Sequence, residues 1–217
     1  MAREFANTAG SPNIDYVTYS AVPPVAGLGT CSIVMRMAGD SDTPSFGTAI
    51  AATSTSFLND VGIQRNSGAN SIRGMFRNGG ASSHFIMSFG FDGVMQSVIF
   101  TFDGSATPKG VGYLDGVDQS VTNTAVTNTV IGSGQNAMLV GGIPSYRWNG
   151  RIAEAAIYNR VITPAEALIH AAGYSTNHFP RGRIFCTPLI REVHDIAGGL
   201  TGTITGTTVG DHPRIYA

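Results

Sequence analysis

The chain has 217 residues and a net charge of −1, and its basic set is twelve arginines plus Lys109 alone. No basic run occurs, so the clustered phosphate contacts that nucleic-acid binding requires are missing. Charged residues are 12% of the chain, about half the usual share, so Ser, Thr, Asn and 28 glycines must supply the polar surface, a composition of many turns and few exposed helices.

Short strand-like runs follow one another along the chain. Tyr16-Val17-Thr18-Tyr19 comes first and stops before Pro23-Pro24. In the next run Cys31, Ile33, Met35 and Met37 share one face by period-2 alternation. Gly39-Asp40-Ser41-Asp42 then turns the chain, and Gly47 to Ala52 is a run of small residues. Between Ser71 and Arg77 the pleat places Ile72 and Phe76 on one face and Arg73, Met75 and Arg77 on the other. His84 to Phe89 and Val94 to Phe102 are rich in strand formers. Asp115-Gly116, between Tyr113-Leu114 and Val117, predicts a two-residue hairpin, since both turn positions favour residues that tolerate φ > 0. Val121 to Val130 alternates Val with Thr or Asn, Met138-Leu139-Val140 precedes a double glycine, and Ile152 to Tyr158 is the last clear strand of the body.

One helix is expected, near residues 163–172. Thr163-Pro164-Ala165-Glu166 is a capping box with proline at the first helical position, and Gly173 supplies the stop. Many short strands with one late helix predict an all-β sandwich of two antiparallel sheets. A chain of this length can bury roughly 70% of its unfolded surface as one domain, so residues 1–217 are read as a single unit. Residues 181–217, with the Gly/Thr stretch 198–210, are read as an extra strand region or an arm that orders on a partner.

Asn149-Gly150-Arg151-Ile152-Ala153-Glu154-Ala155-Ala156-Ile157-Tyr158-Asn159-Arg160, followed by the capped helix, resembles the C-terminal signature of concanavalin-A-like, laminin-G-like jelly rolls. Phe102-Asp103-Gly104, Tyr113-Leu114-Asp115-Gly116 and Leu139-Val140-Gly141-Gly142 resemble preceding strands of that family, so the likeness covers about residues 95–173. The signature reads as scaffold: Tyr158 packs its ring and ties down its hydroxyl, Asn159 tolerates a turn, and Arg160 satisfies loop carbonyls. The family also implies calcium as the one metal to consider, held by loop carboxylates such as Asp92, Asp103, Asp115 and Asp118; as plain turn formers these residues need no ion. No other cofactor is expected.

The ending Gly210 to Ala217 and the Met-Ala-Arg-Glu-Phe start give the chain a second resemblance, to virion structural proteins of tailed bacteriophages. It implies a capsid decoration protein that binds the major capsid protein or other virion proteins, forms homo-oligomers, and sits on the capsid surface after synthesis in the bacterial cytoplasm. The missing signal-peptide core, the missing Asn-x-Ser/Thr acceptor and the low charge agree with that reading. No apolar run approaches the ~18 residues of a membrane-spanning helix, so no membrane partner is expected.

Enzymatic chemistry finds little purchase. A glycosidase needs two carboxylates flanking the scissile bond, yet the chain has four glutamates, one of them in the capping box and Glu154 alone on its strand. Gly39-Asp40-Ser41-Asp42 lacks the hydrolase context that a nucleophilic serine requires. The five histidines have no zinc spacing, and Cys31 and Cys186 read as two buried apolar residues. The protein is therefore expected not to be an enzyme. Two binding regions remain. The C-terminal stretch, with Leu200, Thr203, Ile204, Thr205, Arg214 and Tyr216, is the expected contact with other virion proteins. Tyr146, Arg147 and Trp148 form the alternative, a stacking platform for a host-surface glycan in a carbohydrate- or receptor-binding module, unless Trp148 closes the core.

Overall fold

A computed structural model describes residues 2–6, 15–54, 60–67, 70–79, 84–124, 126–143, 146–189 and 193–210. In chain order the strands are β1 (Ala2–Phe5), β2 (Tyr16–Tyr19), β3 (Thr30–Gly39), β4 (Thr48–Thr53), β5 (Val61–Arg65) and β6 (Ser71–Phe76). They continue with β7 (His84–Ser88), β8 (Gln96–Asp103), β9 (Gly110–Leu114), β10 (Val117–Gln119), β11 (Thr122–Thr124) and β12 (Ala137–Val140). After β13 (Gly142–Ile143), β14 (Tyr146–Arg147) and β15 (Gly150–Tyr158) come helix α1 (Pro164–Ala171), a 3-10 turn (Thr176–His178), β16 (Arg183–Thr187), β17 (Gly202–Thr205) and β18 (Thr208–Gly210). No helix among the described residues is long and apolar enough to cross a membrane.

The strands form two sheets. The first runs β10-β9-β8-β3-β15-β1-β18, and β16 pairs with the far half of β15 where β1 pairs with its near half. The second runs β11-β7-β6-β5-β4-β12-β2-β17. The strand pairings among the described residues are antiparallel except one bridge, Arg147 beside Thr48, which ties β14 to β4. The all-β, two-sheet jelly roll expected from the sequence is thus the fold, with the single helix where the capping box placed it.

The core lies between the sheets. Cys31, Ile33, Met35 and Met37 project inward from β3, as their alternation predicts, against Ile50, Ile63, Ile72 and Phe85 of the second sheet. Phe76 and Phe102 stack across the gap with ring centroids 5.5 Å apart. β3 and β15 are buried on both faces, so their sequences do not alternate cleanly. The reason is a second layer of cover: Val34, Ile99, Ala156 and Tyr158 on the outer face of the first sheet pack under Ile162, Ala167 and Phe179, from helix α1 and its flanking loops.

The scaffold signature behaves as its chemistry demands. Tyr158 is buried, stacks on Phe179 and donates its hydroxyl to the Thr176 carbonyl. Arg160 donates to the carbonyls of Arg181 and Val161, and forms a bidentate pair with Glu166 at 2.8 and 2.6 Å. Glu166 also closes the capping box with Thr163. Gly173 (φ 99°) ends the helix in the left-handed conformation. Asp115 (φ 49°) and Gly116 (φ 78°) make the expected primed turn between β9 and β10.

One expectation needs correction. Among the described residues of the alternating segment 121–130 only Thr122–Thr124 is a strand, paired with β7; Asn128 instead donates to the Phe76 and Val130 carbonyls and holds an irregular turn. Of the two readings of the C-terminal stretch, its described part takes the extra-strand one. β17 pairs with β2 in the second sheet, and β18 pairs with β1 in the first. Residues 202–210 therefore finish both sheets in cis, with Leu200 packed against the core. Thr203, Ile204 and Thr205 form an exposed edge strand. Arg214 and Tyr216 lie outside the described residues.

Candidate ligand-binding site

The outer face of the second sheet carries a hollow of about 240 Å³. Its floor and one wall come from β5, β6 and the residue that follows β6, where Gln64, Arg73, Met75 and Arg77 project outward. Period-2 alternation puts them there because Ile72 and Phe76 take the inner face. Gly74 lies between Arg73 and Met75 because Phe100 presses on it from inside: a Cβ on Gly74 would sit 2.5 Å from Phe100 Cγ. Phe46, Ile143 and Tyr146 form the opposite wall, and Asp60 closes one end.

Short local devices hold that wall. The turn after β3 is closed by Thr43 N–H donating to the Asp40 carbonyl, and Thr43 Oγ1 donates to the Asn149 carbonyl at 2.7 Å. Arg65 donates to the Thr43 carbonyl. The pinned loop brings Phe46 to φ 65°, a conformation that bulky residues rarely adopt. Phe46 meets Tyr146 edge to face at 5.9 Å, and the Arg73 guanidinium lies 4.8 Å from the Phe46 ring centroid. Tyr146 reaches the hollow because β13 and β14 form a two-residue hairpin, Ile143 opposite Tyr146, hung on β4.

A chain of hydrogen bonds fixes the arginine. Thr48 Oγ1 donates to the Phe46 carbonyl, Gln64 Nε2 donates to Thr48 Oγ1 at 3.0 Å, and Gln64 Oε1 accepts from Arg73 Nε at 3.0 Å and from its Nη2. Arg73 thus faces a neutral amide oxygen rather than a carboxylate. Burial, reinforced by nearby Arg77, pushes its pKa down to about 10. At the far end Asp60 accepts from Thr53 Oγ1 at 2.7 Å and pairs with Arg77 at 3.5 Å. Burial raises the Asp60 pKa, opposed by Thr53 and Arg77. His84, opposite Met75 on β7, is pushed below the usual imidazole range by burial, Arg73 and Arg77.

The expected stacking platform is therefore split. Tyr146 lines the hollow and is 36% exposed. Arg147 is half-buried beside Thr48. Trp148 must be corrected: it is 0% exposed, donates Nε1–H to the Ala38 carbonyl at 2.9 Å and packs with Phe89 and Phe91, so it offers no face to a ligand. Arg73, Met75 and Arg77 were legible as one outward face, but nothing local in the sequence showed that Phe46, Gln64 and Tyr146 meet them.

A second hollow of about 300 Å³ lies between Gly29, Asp103, Ser105 and Thr129. It is larger, yet glycine and turn residues make up most of its lining and it has no aromatic wall. Asp103 there is held below the usual carboxylate range by the Ser105 hydroxyl and N–H that it accepts. The other carboxylates proposed for calcium also serve their own turns. Asp92 accepts from Val94 N–H, Asp115 accepts from Ser97 N–H, and Asp118 is exposed on β10. Among the described residues no group of three or more His, Cys, Asp or Glu side chains comes together.

Ser97, His170 and Glu154 make an arrangement that sequence reading missed. Ser97 Oγ lies 2.6 Å from His170 Nδ1, and His170 Nε2 lies 3.5 Å from Glu154 Oε2. The order matches a hydrolase triad, but the three residues are 1%, 0% and 3% exposed beneath helix α1, where no substrate reaches Ser97. Glu154 also accepts from Thr176 N–H and Oγ1, and Arg36 donates to the His170 carbonyl. This buried network clamps α1 to the first sheet. Cys31 and Cys186 are both free and buried, in separate apolar clusters, and burial raises the Cys186 thiol to about 12.

Two antiparallel sheets packed on one core, with one late helix, define a jelly-roll sandwich. The chain belongs to the concanavalin A-like lectin/glucanases superfamily, whose laminin-G-type family model matches residues 13–167. No curated protein matches it by sequence. Among solved structures it resembles a heptameric SAP-like pentraxin from Limulus polyphemus, with 15% identity, TM-score 0.63, and coverage of 94% of this chain and 95% of that one. A carbohydrate-binding protein described for Bacteroides ovatus gives 14% identity and TM-score 0.63 over 98% of this chain, which spans 60% of that protein. The sialidase CBM40 of Ruminococcus gnavus, bound to α2,3-sialyllactose, gives 12% identity and TM-score 0.51 over 74% of this chain and 97% of that one. At these identities the likeness establishes the fold.

Proposed function

We propose that this protein is a non-enzymatic carbohydrate-binding module whose site is the hollow between β5, β6 and Tyr146. The carrying observation is the wall itself: a half-exposed tyrosine and a pinned phenylalanine stand across from two arginines and a glutamine fixed by hydrogen bonds. Saccharides are bound by such mixtures, with an aromatic face for the apolar side of the ring and fixed polar groups for orientation. Two of the structural relatives are described as carbohydrate-binding, which supports the same reading.

A glycan array tests it. The wild-type protein is expected to bind a subset of oligosaccharides, and Tyr146→Ala to lose at least about tenfold in affinity with its melting temperature unchanged. An array with no bound glycan, or full binding by the variant, contradicts the proposal.

A second reading, attachment to a virion through a sheet edge, is favoured by the outer edge of β17, where Ile204 is 42% exposed beside Thr203 and Thr205. Unpaired edges accept further strands. Since β17 and β18 belong to both sheets, deleting them would damage the fold. The cleaner test is Ile204→Lys, which should abolish particle binding while the protein stays folded; particle binding unaffected by the change would reject this reading.

A further inference from the structure

From the way the cationic and aromatic groups are distributed around the hollow, we infer that its ligand is an acidic sugar whose carboxylate docks on Arg73 while the ring lies against Tyr146. This rests on the proposed carbohydrate-binding role and names the chemical class that the site selects.

Three observations converge. First, the cations outnumber the acids: Arg73 and Arg77 line the hollow, and Asp60 is the one carboxylate among its lining residues. Asp60 already accepts from Thr53 and Arg77, so it acts on Arg73 only through space and is not hydrogen-bonded to it. Second, Arg73 is presented rather than consumed. Gln64 Oε1 takes its Nε and Nη2 protons, Phe46 supports the plane of the guanidinium, and Nη1 has no hydrogen bond to a described residue. A half-buried guanidinium hydrogen-bonded to a neutral amide and set beside Arg77 is costly, and its depressed pKa reports that cost; a carboxylate in the hollow offsets it with charge-assisted hydrogen bonds. Third, a buried ring nitrogen without a partner lies on the neighbouring strand. His84 Nδ1 is buried with no hydrogen-bond partner among the described residues, on the strand next to Arg73.

Size and shape restrict the ligand further. About 240 Å³ is below the ~300–1,000 Å³ of sites that enclose drug-sized ligands, so one terminal ring fits rather than a chain. Tyr146 and Ile143 supply the apolar wall that a bare inorganic anion would not need. A single carboxylate-bearing ring satisfies both halves of the hollow.

Isothermal titration of the full chain with matched sugars tests this. The ligands are methyl glucuronide and its neutral counterpart methyl glucoside, N-acetylneuraminic acid, and glucose-6-sulfate. At least one carboxylate sugar should bind, and methyl glucoside should bind at least about tenfold more weakly than any acidic ligand that binds. Arg73→Gln should erase the preference, and Arg73→Lys should fail to restore it, because an ammonium lacks the planar fork. Wild-type affinity for the acidic sugar should also fall as NaCl rises from about 50 to 500 mM, a readout that needs no variant. Equal binding of the neutral and acidic partners, tighter binding of the sulfate, or an Arg73→Gln variant that keeps the preference overturns the inference. Neutral sugars bound and lost on Tyr146→Ala would overturn it while sparing the carbohydrate-binding role; no sugar bound at all would overturn both.

Discussion

The indole of Trp148 is enclosed by Phe89, Phe91 and the Ala38 carbonyl, so it carries stability rather than recognition. Trp148→Ala should cost about 3–5 kcal/mol, the range for a large buried aromatic, seen as a lower urea midpoint. A loss under about 1 kcal/mol would mean that the indole is not packed as described. Tyr146, two residues earlier, has the opposite fate because it belongs to a two-residue hairpin on the outer face. Sequence alone places both residues in one loop and cannot divide them, since the division depends on β14 pairing with β13 and bridging to β4. Phe46 was invisible for a related reason: its loop carries no local motif, and only contacts to Arg65, Thr48 and Asn149 give it a place.

Elements with local signals were legible. The Thr163 capping box, the Asp115-Gly116 turn and the alternation of β3 all rest on interactions within a few residues, and each forms as the sequence predicts. Thr163→Ala should cost about 1 kcal/mol through the exposed N-cap, measurable by thermal denaturation; a neutral effect would mean that the Arg160–Glu166 pair alone holds the helix start. β6 is more demanding. Gly74→Ala drives a methyl into Phe100, an overpacking change expected to cost about 1–3 kcal/mol and to disturb the spacing of Arg73 and Met75. A variant with unchanged stability would contradict that close approach. β17 and β18 were the hardest to read, because a Gly/Thr-rich strand has little alternation and its pairing partners lie almost two hundred residues away.

Across the whole molecule, the first sheet carries the clamp and the second carries the site. The clamp makes stability depend on pH. Burial lowers the His170 pKa, with Glu154 opposing, so on acidification below about 6.5 the unfolded chain takes up a proton that the folded protein resists. Glu154 is also depressed: burial alone would raise it, but the His170 ring 3.5 Å away and the hydrogen bonds from Thr176 outweigh that, so its contribution fades as pH falls further. Both signs agree, and the melting temperature should drop as pH goes from 7 to 4. Glu154→Gln should be less stable at pH 7 and, because Glu154 is what holds the His170 pKa up, should decline at least as steeply between about pH 6.5 and 4.5. A wild-type melting temperature that rises on acidification would reverse this account.

Titrating the ¹⁵N-labelled chain with its tightest-binding saccharide should shift the backbone amides of Gln64, Arg73, Met75 and Tyr146 most strongly, since these residues wall one hollow. Shifts confined to β17 and β18, or to the hollow around Gly29 and Ser105, would place the ligand elsewhere and contradict the assignment.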